Sequence, residues 1–299
     1  MRIYFPPAFD INYYRNSYPE LNGKSDEIVK EHYRRYAEER GHTVCPYDRS
    51  EYLRVMVNKL IKENPVKVLE IGPYDNPSLV GENVKYFDIY DSETLKELAE
   101  KTNRPVKKTP AKIHYVEPNG DLSIVNENFD MVFSSHCIEH QPNLLKHLKN
   151  VEKILDEGGL YVLVIPDKRY CLDHFRNDTN LFDVLDAAVE NRTLHTFKSV
   201  SENRYGFAHN NPILHWLGEH GSIKFGVKEF TGALNDYKKS VVDGEYIDTH
   251  AWCFTPKNFG EIITGLNELG MIHLEVDRLC HTIWGRLEFI AILRKNSTR

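Results

Sequence analysis

Glu70, Gly72 and Asp88 stand where two short apolar runs end. The first run is Val66–Ile71, which opens into Gly72-Pro-Tyr-Asp-Asn-Pro77; the second is Val84–Phe87, followed at once by Asp88. In an open parallel sheet, ligands bind outside the carboxyl ends of the strands. A carboxylate there can accept hydrogen bonds from both hydroxyls of a ribose, and a bare glycine lets a ligand approach the main chain. A pyrophosphate is a poorer fit. The G-x-G-x-x-G fingerprint is absent, because Tyr74 and Pro77 occupy its second and third glycine positions. Glu70 and Asp88 could also do no more than satisfy buried strand ends.

A second set of residues could move protons. His136, His140, Asp167, His174 and His250 are imidazoles and a carboxylate able to act as bases near neutral pH. Arg169 and Arg176 could grip a phosphate or carboxylate as planar forks, or pair with Asp167, Asp173 or Asp178. Tyr170 and Trp252 could stack on a sugar, or serve as core. His136-Cys-Ile-Glu-His140 matches the H-x-x-E-H string of some zinc peptidases. That chemistry needs a long helix, whereas here a strand precedes the string and Gln141-Pro142 follows it. The other histidines, among them His209, His215, His220 and His250, show no diagnostic ligand spacing, and no metal is predicted.

These residues need elements to position them. Strand-sized runs occur at 66–71, 84–87, 113–116, 129–134 and 160–165. Helical periodicity covers 51–62, 92–101 (with Ser92 as N-cap) and 143–157, the last stopped by Gly158-Gly159. Alternating strands and helices imply a parallel sheet with right-handed crossovers. Thr255-Pro256 begins a helix over 257–269. Runs at 272–276 and 287–293 are too close for a helical crossover and should pair antiparallel. Four segments result. Residues 1–50 form a helical N-terminal cap, with a helix over 26–40, and residues 51–166 form a ligand-binding core. Residues 167–254 form an inserted lid carrying amphipathic segments at 181–189 and 227–234. Residues 255–299 complete the core.

Composition narrows the class. The chain has 299 residues with 41% hydrophobic and 27% charged, which fits a folded protein with a large core. Lys and Arg number 38 against 44 Asp and Glu, a net charge of -6. That is a poor balance for gripping nucleic acid by its phosphates. The five cysteines are dispersed without a C-x-x-C, as expected of reduced thiols in a cytoplasmic protein. The opening MRIYFPPAFDINYYRN lacks the pattern of a secretory signal, and no apolar run is long enough to span a membrane.

The ordered strings VLEIGPYDNP (68–77), Asp88, NGDL (119–122), FDMVFSSHCIEH (129–140) and LDEGGLYVLVIPD (155–167) resemble the class I S-adenosylmethionine-dependent methyltransferases. The resemblance covers 66–166 and 255–299. It implies a Rossmann-like α/β fold, with a seven-stranded, mostly parallel sheet whose last strand is antiparallel. It also implies S-adenosylmethionine as cofactor and S-adenosylhomocysteine as product. By position, Glu70, Gly72 and Pro73 would face the methionine moiety and Asp88 the ribose. Asp121 and Leu122 would meet the adenine, and Ser135 and His136 would line the transfer pocket. Tyr74 departs from the commoner G-x-G. The strings at 165–179 and 248–256 are similar to bacterial methyltransferases that decorate sugars and surface glycans, and the opening at 9–21 with HYRRY (32–36) is similar to a short module seen beside glycan-modifying enzymes.

The expected protein is thus a methyltransferase acting on a small polar acceptor: a sugar, nucleotide sugar or phosphorylated metabolite in surface-polysaccharide or capsule synthesis. Arg169, Tyr170, Arg176 and Trp252 would bind that acceptor. Neither nucleic acid nor a membrane span enters this reading, and a homodimer is compatible with it. A module that binds the cofactor without turnover, and a protein or nucleic-acid methyltransferase, are the alternatives.

Overall fold

The computed structural model describes residues 9–223, 226–244 and 247–296. The first eight residues of the expected N-terminal cap and the last three of the chain lie outside them. Seven strands form one sheet: β1 (Val68–Ile71), β2 (Val84–Asp88), β3 (Tyr115–Val116), β4 (Phe129–Ser135), β5 (Leu155–Pro166), β6 (Leu274–Cys280) and β7 (Glu288–Lys295). Their spatial order is β3-β2-β1-β4-β5-β7-β6. The pairs from β3 to β5 are parallel, and β7 runs antiparallel to both β5 and β6.

The sheet is buried on both faces, as a parallel sheet must be. Leu160, Val162 and Val164 pack on one side with Ile290, Ile292 and helix α3 (Ser50–Glu63). Tyr161, Leu163 and Ile165 point to the other, with Phe289, Ala291 and Leu293. That face is covered by α5 (Leu144–Ile154) and α10 (Pro256–Glu268). The alternation is the two-residue period of a strand. Each large side chain so buried contributes roughly 1.5–3 kcal/mol.

Helix boundaries have local causes. Asp91 caps α4 (Ser92–Lys101) by accepting the Thr94 amide, so the cap lies one residue before the expected Ser92. Thr255 and Asn258 form a reciprocal capping box on α10. The expected helix over 143–157 ends early, at Ile154, and β5 begins directly at Leu155. Gly158-Gly159 therefore lies in a strand, beside the register shift between Phe129 and Met131. A Cβ on Gly159 would sit 2.8 Å from the Asp156 carbonyl oxygen.

Before the sheet lie α1 (Ile11–Ser17) and α2 (Asp26–Tyr36), which share a small core of Tyr14, Leu21, Val29, Ala37 and Val44. After β5 come α6 (Leu181–Val189), α7 (Phe197–Tyr205), α8 (Pro212–Trp216) and α9 (Val227–Asp243). Sequence periodicity missed α1, α7 and α8 and stopped α9 too soon. Helix α9 ends where Gly244 takes a left-handed φ of 67°. No helix among the described residues is long and apolar enough to cross a membrane.

Candidate active site

Strand register brings the first chemical residues to one level. Ile71 pairs with Phe87 of β2 and with Ser134 of β4. The next residues, Gly72, Asp88 and Ser135, therefore leave the sheet side by side. The chain moves outward from β1 to β3 and then returns to β4, so β1 and β4 flank the topological switch point. A cleft of about 490 Å³ opens there, lined by Gly72, Tyr74, Asp88, Tyr90, Arg104, Gly120, Ser135, His136, Cys137, His140, Gln141 and Asp248, with Ile71, Phe87, Ile89 and Leu98 as its apolar wall. Its size suits a small organic ligand.

Asp88 is buried beneath this cleft. Its Oδ2 accepts the Tyr74 amide at 3.1 Å and its Oδ1 the Tyr90 amide at 3.2 Å. Burial raises its pKa to about 6 against the opposing pull of those amides. Gly72 has a φ of 67°, and a Cβ there would meet Cys137 Sγ at 3.3 Å. The left-handed conformation favours glycine, and an added Cβ would be tight against that sulfur. Tyr74 holds a left-handed φ of 48° without being glycine, and its ring lies under the Arg104 guanidinium, 5.3 Å from ring centre to Cζ.

Glu70 does not reach the cleft. It is 2% exposed, and its two oxygens accept the amides of Ser78 and Leu79 at 2.7 and 3.0 Å. Burial raises its pKa to about 7. Its placement fastens the 72–79 loop rather than contacting a ligand. Pro73 is buried behind that loop, its carbonyl accepting the Asn76 amide. Asp121 faces an adjacent hollow shared with Gly120, Gln141 and Asn143. Its carboxylate is engaged by Lys146 at 2.8 Å and Asn150 at 3.0 Å. Leu122 is buried in the turn behind it.

His136 stands on the cleft's other side with a φ of 51°, and its amide donates to the Val164 carbonyl. Its Nε2 lies 2.6 Å from Glu288 Oε2, which leaves Nδ1 free to accept a proton. Burial alone would lower its pKa, but Glu288 and Glu139 raise it. Ser135 Oγ accepts from Arg54 at 3.0 Å. His140 lines the cleft with Nδ1 2.9 Å from Asp248. His250 packs edge-on against His140, with ring centroids 4.7 Å apart.

The remaining expected acceptor contacts are placed elsewhere. Asp167 is fully buried, accepting from Arg169 Nη2 at 2.7 Å and Thr282 Oγ1 at 2.6 Å. Arg169 is thereby turned inward. Arg176 is buried against Asp173 at 2.7 Å and Glu202 at 2.9 Å, and it also donates to the His250 carbonyl. Both guanidiniums are thus occupied by carboxylates, and Arg176, which is desolvated, demands its near partners. Tyr170 stacks on Trp216 at 3.9 Å, and His174 stacks on His220 at 3.7 Å, away from the cleft lining. Trp252 is buried, donating to the Gln141 carbonyl at 2.5 Å. Sequence reasoning missed Tyr90, Arg104, Cys137, Gln141 and Asp248. Tyr90 and Cys137 sit just past strands β2 and β4, where position was informative but residue type was not; Arg104 follows helix α4, and Gln141 follows the short turn after β4.

A mostly parallel sheet closed by one antiparallel strand, with its cleft at the switch point and a strand-end carboxylate under it, defines the S-adenosylmethionine-dependent methyltransferase class. The chain belongs to the methyltransferase-domain family, whose model matches residues 30–204. S-adenosylmethionine is accordingly its cofactor. Similar solved structures include the citrinin polyketide synthase CMeT domain (14% identity, 94% of this chain and 60% of that one, TM-score 0.41). They also include a SAM dependent methyltransferase from Aquifex aeolicus (12%, 83% and 94%, TM-score 0.38) and the CurJ carbon methyltransferase (13%, 83% and 55%, TM-score 0.38). The chain thus spans little more than half of some of the structures it matches. No curated protein matches it.

The residues present fit that cofactor. The buried Asp88 carboxylate keeps lone pairs beyond its two amide bonds, Gly72 leaves its peptide uncovered, and Ile71, Phe87, Ile89 and Leu98 offer an apolar wall for a base.

Proposed function

We propose that the chain transfers a methyl group from S-adenosylmethionine to an oxygen or nitrogen of a small polar acceptor. The observation that carries this reading is the convergence of Gly72, Asp88 and His136 on one cleft at the switch point. The cofactor supplies an electrophilic methyl on a sulfonium. Asp88 accepts hydrogen bonds from the ribose hydroxyls, and Gly72 lets the amino-acid end pass close to the main chain. Ser135 and His136 face the reacting centre. His136, oriented by Glu288, takes the acceptor's proton through Nδ1, an effect worth on the order of 10²–10⁴-fold for a hydroxyl. The apolar wall excludes water, and alignment supplies much of the remaining rate.

The polar rim made by Tyr90, Arg104, Gln141 and Asp248 supports a hydroxylated acceptor such as a sugar derivative. Asp248 and His250 come from a segment whose sequence is similar to glycan-decorating methyltransferases. The same segment ends the expected lid, and surface-polysaccharide synthesis in the cytoplasm is the setting this reading favours. The test is mass spectrometry of candidate sugars, nucleotide sugars and amino-alcohol phosphates incubated with protein and cofactor. A gain of one methylene mass that disappears in His136→Ala is expected. Cofactor binding in calorimetry with no product from any acceptor class would favour a non-catalytic binding module instead.

A further inference from the structure

Glu139 is a buried carboxylate with no ordinary hydrogen bond. It is 1% exposed, and neither Oε1 nor Oε2 meets a hydrogen-bond donor among the described residues. A charge so placed is costly unless a cation answers it. The groups around it are imidazoles. His140 Nε2 lies 3.6 Å and His250 Nε2 4.0 Å from Glu139 Oε1, and His136 Nδ1 approaches the same oxygen at 3.9 Å.

We propose that Glu139, His140 and His250 bind a divalent first-row transition-metal cation beside the cleft. One donor atom from each of the three lies within 4.8 Å of the others. Donors about 2.0–2.2 Å from one ion stand roughly 3–3.5 Å apart, so small side-chain movements close the cage. The outer contacts match what metal-bound histidines need. His250 Nδ1 lies 2.5 Å from Asp173 Oδ2, and His140 Nδ1 lies 2.9 Å from Asp248 Oδ1. A proton held on His250 Nδ1 by Asp173 leaves that ring's Nε2 lone pair facing Glu139, and the Asp248 carboxylate beside His140 Nδ1 favours the same tautomer there.

The backbone also builds this cage. The Glu139 carbonyl accepts the amides of Ala251 and Trp252 at 2.7 and 3.2 Å, and Arg176 holds the His250 carbonyl at 3.0 Å. These bonds fasten the end of the inserted segment to the sheet rim and fix His250 over Glu139. Two imidazoles and one carboxylate favour zinc, manganese, cobalt or iron over magnesium, which prefers an all-oxygen shell. Three protein donors leave positions open, and His140 lines the cleft, so an acceptor oxygen could complete the shell. This last step rests on the methyltransferase reading; the cation site does not.

The test uses the full chain, stripped with EDTA and titrated with Co²⁺ by visible absorption, without cofactor. A second cluster, His174, His215 and His220, also brings its donors within 4.8 Å, so a His220→Ala background isolates the proposed site. There, one Co²⁺ should bind, Mg²⁺ in large excess should not displace it, and Glu139→Gln or His250→Ala should weaken it at least tenfold. His140→Ala serves if either variant fails to fold. Co²⁺ binding that is absent in this background, unchanged by Glu139→Gln or displaced by Mg²⁺ would overturn the proposal. Calorimetry with S-adenosylmethionine on the same samples reads the methyltransferase assignment separately.

Discussion

Asp88 accepts the amide of Tyr74 through Oδ2 at 3.1 Å, which ties the end of the second strand to the loop after the first. One carboxylate thus shapes the loop and faces the cleft. With its pKa raised to about 6 by burial, the proposed ribose contact should be fully formed only above that pH. Affinity for S-adenosylmethionine should fall as pH drops from 7 to 5, approaching tenfold per pH unit below 6 if only the ionised form binds. Asp88→Asn should bind at least tenfold more weakly at pH 8 and lose this dependence. Calorimetry across that range checks it, and a wild-type affinity independent of pH would remove Asp88 from the ribose.

Glu70 should reveal itself in stability. Its folded pKa, raised to about 7, exceeds its ordinary 4.5. Such a carboxyl adds stability that is fully present below about pH 4.5 and is lost as pH rises to about 7. The loss is on the order of 3 kcal/mol. Urea denaturation at pH 5 and pH 8 should show a smaller drop in Glu70→Gln than in wild type. Glu70→Ala should cost about 2–4 kcal/mol at pH 5, since the Ser78 and Leu79 amides lose their acceptors.

Tyr74 pays for its left-handed φ of 48°. Comparing Tyr74→Gly with Tyr74→Ala isolates that cost, because both remove the ring and only alanine keeps a Cβ. The glycine variant should be more stable by about 1 kcal/mol. Equal melting temperatures would mean the loop relaxes to another conformation.

Arg176→Ala should destabilise the fold by about 3–5 kcal/mol, because the buried Asp173 carboxylate loses its guanidinium and is left with the His250 ring. If Arg176 served chiefly to hold a substrate phosphate, the variant would keep its stability and lose only acceptor affinity. Thermal denaturation and Michaelis kinetics together separate the two.

The sheet was legible in the sequence because its strands are short apolar runs bounded by glycine and proline. Gly72 and Asp88 could be set at the ends of those strands from the pattern alone, whereas Ser135 and His136 were set at the pocket by the family resemblance. Glu70 was misplaced by one step. It lies on a buried strand, and the Ser78 and Leu79 amides that capture it carry no sequence signal. The boundary at Ile154 failed because Gly158-Gly159 looks the same at a helix end as in an irregular strand. For Arg169 and Arg176 the string leaves substrate forks and pairing with Asp167 or Asp173 equally open, because nothing in it tells a partnered guanidinium from a free one; the structure shows the pairs. The meeting of Glu139 with His250 depends on the path of the inserted segment, which has no periodic signature.

Strand β7 is the last of the described strands, yet it lies between β5 and β6. During synthesis, β5 leaves the ribosome long before its inner neighbour exists. Its antiparallel flank must wait, exposed or chaperoned, until the whole inserted segment has been translated. Premature stop codons that remove only β7 should therefore yield aggregates rather than weakened enzyme.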